Sequence, residues 1–147
     1  MRPETLLDFM GVAEHLKCNM RHSRMTDHRR ESVAEHTYRL CVFAWLVKEE
    51  FPDCDMDKVM KMCLFHDLGE ALTGDIPAFV KTDDDRKTEG DALTLLTAML
   101  PGKERQELDE LFGELEREET MEAKIVHALD KICLLYTSPS PRDAHES

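Results

Sequence analysis

Helix-breaking residues are scarce in this sequence. Glycine and proline number six each in 147 residues, and aromatic residues make up only 6%. Long apolar runs are also lacking: no stretch reaches the length of a membrane span, and the N-terminal segment MRPETLLDFM has no signal-peptide core. The chain is rich in Leu, Met, Ala, Glu and Lys, which are mostly strong helix formers. The composition therefore predicts one all-α domain that does not associate with membranes.

Paired cysteines and an excess of positive charge are lacking too. The five cysteines include no C-x-x-C pair, and an odd number does not suit a disulfide framework, so we expect a cytoplasmic protein. Acidic residues outnumber basic ones by 31 to 19, which gives a net charge of −12. Such a surface repels a phosphate backbone and argues against binding to long nucleic acid. A small anionic substrate stays compatible, because a bound cation can reverse the local field.

Apolar residues recur at helical spacing in six segments. Ser32 precedes the second segment and Glu35 follows three residues later, the pattern of a capping box. An irregular basic segment, Arg21 to Arg30, is expected before it, and no strand-like alternation is found. The predicted helices cover approximately residues 4–17, 33–50, 56–68, 83–100, 103–117 and the segment from 120 onward.

Two histidines and two aspartates lie on or beside the apolar faces of these helices. His36 and His66 point inward, Asp67 follows directly, and Asp130 lies on the last helix. These ligand types hold divalent transition metals with positions left open. Neighbours on a regular helix diverge by about 100°, so His66 and Asp67 can share an ion only where the helix ends, which Gly69 makes plausible. An inward histidine is commonly a hydrogen-bonded core residue, and on these residues alone that alternative stays open.

The composition changes abruptly at the C-terminal end. The segment CLLYTSPSPRD, which begins at Cys133, replaces a Leu/Glu/Lys helix with serine and proline. Back-translated, its first part resembles the end of a transposase-type sequencing adapter read in frame. We therefore expect a domain of residues 1–132, truncated at its C-terminus, and a non-native disordered tail of residues 133–147. A natural Ser/Pro-rich terminus is the alternative.

Four segments carry a family resemblance. AEHTYR, FHDLGEALTGDIPAF and ALDK, with LKCNMRHS near the N-terminus, resemble signature segments of the HD-domain metal-dependent phosphohydrolases, most closely the small 5′-deoxynucleotidase-like members. The resemblance implies a single HD-domain helical bundle of about six helices. It also implies one divalent metal ion (Mn, Co, Fe, Ni, Zn or Mg) bound by His36, His66, Asp67 and Asp130.

The same resemblance implies an activity and roles for three further residues. The implied reaction is removal of phosphate from (deoxy)nucleoside 5′-monophosphates by attack of a metal-bound water. Glu70 matches an acid/base glutamate, Asp75 a second functional carboxylate and Arg21 an arginine that holds the substrate phosphate. Without the resemblance, Glu70 would be interpreted as a helix-end carboxylate and Asp75 as a turn residue.

Two other functions fit part of the pattern. One is a non-catalytic helical binding or regulatory module in which the metal is structural. The other is an HD-type di-iron oxygenase, for which His15, His22, His28 and His127 are the extra histidines, although their spacing does not match a second iron site. The resemblance further implies additional helical structure and a homodimer in the full-length protein.

Overall fold

Helices dominate the computed structural model, which describes residues 1–24, 29–73 and 83–137. Within these ranges, six helices have ten or more residues and two have four, with a 3₁₀ turn at Lys48–Glu50. The predicted all-α bundle of about six helices is thereby confirmed. The helices are α1 (Pro3–Ala13), α2 (His15–Cys18), α3 (Val33–Leu46), α4 (Met56–Phe65), α5 (Glu70–Thr73), α6 (Asp83–Ala98), α7 (Gly102–Arg117) and α8 (Met121–Thr137).

A small antiparallel hairpin corrects the prediction of an irregular basic segment before α3. Strand β1 (Met20–Arg24) pairs with β2 (Arg30–Ser32), with Met20 opposite Ser32. The strands were not predicted because their buried positions carry charged residues: Arg21 and Glu31 are 7% and 2% exposed. A search for alternating apolar residues cannot detect a hairpin of this kind.

Helix α3 begins with the predicted capping box. Oγ of Ser32 accepts a hydrogen bond from the backbone N–H of Glu35 at 3.1 Å, and the Glu35 carboxylate accepts one from the backbone N–H of Ser32 at 3.0 Å. These bonds satisfy two backbone donors at a helix start that would otherwise lack partners. The backbone N–H of Val33 also donates to the carbonyl of Asn19 at 2.9 Å, which ties the start of α3 to the hairpin.

The core lies between α3, α4 and α8, which pack against one another, with α6 and α7 closing the other side. Leu40 on α3, Val59 and Met62 on α4 and Val126 on α8 are at most 1% exposed. Apolar side chains at spacings of three and four residues supply this burial, and fully burying each contributes about 1.5–3 kcal/mol. Among the described residues, no helix is both long enough and apolar enough to cross a membrane.

Helix α4 ends earlier than its predicted boundary at residue 68. Its last helical residue is Phe65, and residues 66–69 form turns, in which the backbone N–H of His66 bonds four residues back to Met62 and that of Leu68 three residues back to Phe65. A Cβ added at Gly69 would lie 3.2 Å from Cγ of Leu93, so this turn packs closely against α6. The helix end at His66 and Asp67 is the distortion that a shared ion requires.

Helix α8 extends beyond the predicted domain boundary at residue 132. It continues through Thr137, and Cys133 is 2% exposed within the core. Burial raises the pKa of the Cys133 thiol, which therefore stays neutral and packs as a small apolar group. The origin of residues 133–147 stays a prediction, and residues 138–147 lie outside the described part of the chain.

The capping box gives a prediction about stability. Ser32→Ala removes the acceptor for the Glu35 N–H, so we expect the free energy of unfolding to fall by about 1 kcal/mol. Urea denaturation followed by far-UV circular dichroism measures the change. Thr94→Ala is the control, because its exposed hydroxyl donates to the carbonyl of Gly90 within the same helix, α6. Equal effects of the two substitutions would contradict the assignment of Ser32 as a stabilising cap.

Candidate metal centre

Four side chains from three parts of the fold meet at one point. His36 lies on α3, His66 and Asp67 lie in the turn after α4, and Asp130 lies on α8. Nε2 of His36 is 2.6 Å from Oδ1 of Asp130, and Nε2 of His66 is 3.0 Å from Oδ2 of Asp67. Between the two pairs, Nε2 of His66 is 3.5 Å from Oδ1 of Asp130. The structure thus brings together all four residues predicted as metal ligands.

The end of α4 fixes the orientation of His66. Its backbone N–H donates to the carbonyl of Met62 at 2.8 Å, and its Nδ1 lies 2.9 Å from the carbonyl oxygen of Cys63. Because a carbonyl can only accept, Nδ1 carries a proton. Nε2 is therefore the nitrogen that faces the cluster, and its lone pair becomes available whenever the ring is neutral.

Burial and neighbouring charges act in opposite directions on these groups. Burial would lower the pKa of His66, but Asp67 and Asp130 outweigh it and raise that pKa well above its ordinary value. Burial would raise the pKa of Asp130, but the hydrogen bond with His36 and the neighbouring imidazole of His66 hold it well below its usual range. The pKa of Asp67 is lowered against burial chiefly by His66. Both aspartates are ionised at neutral pH, and the cluster attracts a cation.

The donor set fits a divalent metal ion. Ligand atoms of His36, His66 and Asp67 lie within 4.8 Å of one another, and two bonds of about 2.2 Å to one ion span at most about 4.4 Å, so the ligands need to close by no more than a few tenths of an ångström. Nε2 of His66 is buried and makes no well-directed hydrogen bond to the described residues, although a carboxylate oxygen is near. A metal ion would use this nitrogen and the aspartate oxygens together. Mixed imidazole and carboxylate donors do not select one metal.

Arg21 lies directly beside the cluster. Its Nη1 is 3.4 Å from Oδ2 of Asp67, and its side chain is 9% exposed. Nε of Arg30 donates to the carbonyl of Arg21 at 3.1 Å and so braces strand β1. Arg29 instead forms an exposed ion pair with Glu35 at 2.6 Å. Among these three arginines, Arg21 is the one whose guanidinium contacts the cluster.

Glu31 also belongs to the site, although its sequence context did not predict it. Its Oε1 lies 3.6 Å from Nδ1 of His36 and 3.7 Å from Nε of Arg21, and its side chain is 3% exposed. Burial raises the pKa of this carboxyl group, while His36 and Arg21 oppose that rise. The available signal was indirect, because a glutamate in a basic segment just before a capping serine is conspicuous only once the hairpin is known.

Of the two predicted catalytic carboxylates, Glu70 and Asp75, the structure describes the first. Glu70 begins α5 and is 8% exposed, and its backbone N–H donates to the carbonyl of Asp67 at 3.0 Å. The Asn19 side chain donates to the carbonyl of Glu70 and fastens α5 to the segment before the hairpin. Asp75 lies outside the described residues.

Comparison with known proteins identifies the family. The HD domain matches residues 13–143, which is most of the chain. The chain belongs to the HD-domain family. The crystal structure of a predicted metal-dependent phosphohydrolase from Magnetospirillum magnetotacticum superposes with a TM-score of 0.82 at 30% identity, covering 91% of this chain and 69% of that one.

Two curated relatives of this HD domain carry the same name. The chain is 36% identical over 105 residues to 5′-deoxynucleotidase HDDC2 of Homo sapiens, covering 70% of this chain and 50% of the relative. It is 33% identical over 133 residues to 5′-deoxynucleotidase HDDC2 of Xenopus laevis, covering 87% and 65%. The chain therefore spans about half to two thirds of the length of these relatives.

The cluster predicts that metal stabilises the HD domain. Mn²⁺ or Co²⁺ added to metal-stripped protein should raise the melting temperature, since a ligand at about 100 times its Kd adds about 2.7 kcal/mol to the folded state. Asp67→Ala should abolish most of this shift, whereas Asp109→Ala, an exposed change on α7, should preserve it. Scanning calorimetry with and without metal measures both. A shift that survives in Asp67→Ala would place the bound metal elsewhere.

Proposed function

We propose that this chain is a metal-dependent phosphohydrolase domain that removes phosphate from (deoxy)nucleoside 5′-monophosphates. The observation that carries the proposal is the convergence of His36, His66, Asp67 and Asp130 with Arg21 against Asp67. A two-histidine, two-carboxylate set beside a buried guanidinium combines a cation site with a phosphate-binding side chain. The relatives named 5′-deoxynucleotidase support the substrate class.

The proposed mechanism divides the work between the metal and the protein. A bound divalent ion would lower the pKa of a water molecule and polarise a phosphoryl oxygen. Arg21 binds the substrate phosphate with the guanidinium N–H groups that remain beside its contact to Asp67. This arginine orients the phosphorus for in-line attack, and the leaving group is the 5′-oxygen of the nucleoside.

Proton transfer falls to the two other carboxylates. Glu70 accepts a proton from the attacking water. It is suited to this role because it begins α5, directly after the turn that carries His66 and Asp67. Asp75 protonates the leaving 5′-oxygen or orients the water. This assignment rests on the family resemblance alone. One proton is removed from water and one is delivered to the alcohol, so phosphate and nucleoside are the products.

The two alternative functions have less support. A structural metal would also join α3, the α4 turn and α8, but Asp130 is 27% exposed at its side chain, whereas structural sites are normally closed. For a di-iron oxygenase the extra histidines would have to reach the cluster. Nδ1 of His15 contacts the carbonyl of Ala71 and Nε2 of His127 contacts that of Leu115, whereas the side chains of His22 and His28 lie outside the described part of the structure.

Phosphate release tests the proposed reaction. Metal-stripped protein resupplied with single divalent metals should release phosphate from 5′-deoxynucleoside monophosphates, and a parallel ribonucleotide panel should give the sugar preference. Asp67→Ala should lose activity at least 100-fold, because it removes a metal ligand and the Arg21 contact together. If a folded, metal-loaded protein released no phosphate with any metal and any nucleotide, the proposed function would be contradicted.

Glu70 separates catalysis from metal binding. Glu70→Gln keeps the size of the side chain but cannot take a proton, so we expect kcat to fall about 10²–10⁴-fold. Metal affinity, measured by titration calorimetry, should stay within a factor of about three. Glu116→Gln on the exposed face of α7 is the matched control. If Glu70→Gln lost metal affinity as well, Glu70 would be part of the metal site and not a proton acceptor.

A further inference from the structure

Three buried polar atoms meet on the side of His36 that faces away from the cluster. They are Nδ1 of His36, Oε1 of Glu31 and Nε of Arg21, and none makes a hydrogen bond to the described residues. The carboxylate oxygen lies 3.6 Å from the first nitrogen and 3.7 Å from the second. Each separation exceeds the upper limit of about 3.2 Å for an N–H···O hydrogen bond by about half an ångström, so a small movement of the Glu31 side chain is needed to form either bond.

We propose that Glu31 is a positioning residue that aligns His36 with the metal ion and Arg21 with the substrate phosphate. Its carboxylate accepts from Nδ1–H of His36 and from Nε–H of Arg21 when the metal site is filled. The part concerning Arg21 rests on the proposed function, whereas the part concerning His36 needs only metal binding. Glu31 itself contacts neither metal nor substrate.

His66 shows what such a partner does. Its Nδ1 donates to the Cys63 carbonyl, which leaves Nε2 for the cluster. His36 also presents Nε2 to the cluster, 2.6 Å from Asp130, and Glu31 occupies the corresponding place at Nδ1. An acceptor at Nδ1 holds the proton there, fixes the plane of the ring and makes Nε2 a better donor to a metal. A carboxylate does this more strongly than a carbonyl.

The same carboxylate restrains Arg21. The guanidinium lies between Glu31 on one side and Asp67 on the other, at 3.7 and 3.4 Å. A contact at Nε fixes the plane of the guanidinium while leaving N–H groups of the two terminal nitrogens for a phosphate. One buried carboxylate therefore couples the metal ligand to the anion-binding side chain.

The hairpin gives Glu31 a rigid position. It lies in β2 immediately before Ser32, whose side chain caps α3, and β2 pairs with the strand that carries Arg21. An ionised carboxylate that is 97% removed from solvent is expensive unless it has charged or hydrogen-bonding partners. An apolar residue would fill the position at lower cost, so the carboxylate is explained by its action on Arg21 and His36.

A titration with Co²⁺ tests whether Glu31 positions His36 for the metal, and it does not depend on enzyme activity. Glu31→Gln keeps the shape of the side chain but loses its charge, so we expect Co²⁺ to bind 10–100-fold more weakly, with altered visible absorption bands. Glu31→Asp keeps the charge on a shorter side chain and should recover part of the affinity. Glu116→Gln, the same change on the exposed face of α7, is the control and should bind Co²⁺ like the unmodified protein.

Steady-state kinetics test whether Glu31 positions Arg21 for the substrate phosphate. In Glu31→Gln saturated with metal, KM for the nucleotide and the inhibition constant of inorganic phosphate should both rise at least fivefold, because Arg21 is no longer held. If the unmodified chain hydrolyses no nucleotide, the proposed function fails while the Co²⁺ titration still decides the role of Glu31. Unchanged Co²⁺ affinity in Glu31→Gln would overturn the positioning role even in an active enzyme.

A measurement on the unmodified protein covers the case in which Glu31→Gln does not fold. In the Zn²⁺-loaded chain, proton–nitrogen NMR should show the Nδ1 proton of His36 shifted downfield and protected from exchange with water. The exposed ring of a denatured sample is the reference. An Nδ1 proton that exchanges as freely as the reference would overturn the hydrogen bond to Glu31, and with it the proposal.

Discussion

The burial of like charge is the constraint on which this structure depends. Three carboxylates, those of Glu31, Asp67 and Asp130, meet the guanidinium of Arg21 around two imidazoles. In an apolar bundle such an excess of negative charge is costly, and the lowered pKa values of Asp67 and Asp130 mean that these two charges persist at neutral pH. A proton on His66 reduces the excess of negative charge by one, and a bound divalent ion would reduce it by two. The metal and the proton therefore compete for the same nitrogen.

This constraint joins the fold to the site. The four ligand candidates come from α3, the turn after α4 and α8, which are also the elements that enclose the core. Any ion bound by all four holds these elements together, so part of its binding energy stabilises the packing. Asp130 lies well inside α8, which extends to Thr137, and the helix therefore presents the carboxylate from a hydrogen-bonded stretch and not from a frayed end.

The sequence predicted what depends on apolar periodicity and missed what depends on buried charge. The helices, the Ser32 cap and the inward direction of His36 and His66 follow from spacing and capping chemistry, and the structure confirms the helical bundle. The hairpin was predicted as irregular because its inward residues are Arg21 and Glu31. The partnership of Glu31 with His36 could not be predicted, since it depends on strand pairing that apolar patterns do not encode. The sequence predicted a helix end near His66 only because His66 and Asp67 cannot bind the same ion from a regular helix; it did not predict that α4 ends at Phe65.

An acidic chain and a phosphate substrate are compatible because the two effects act over different distances. The net charge of −12 is spread over the whole chain, and at physiological ionic strength its field is screened within about 8 Å. A nucleotide, the proposed substrate, would meet Arg21 and any bound divalent ion within that distance, where attraction exceeds the distant repulsion. A long nucleic acid would place many phosphates against the acidic surface at once and would gain only one such contact. The charge pattern therefore favours small phosphate esters over polymers, independently of the family relationship.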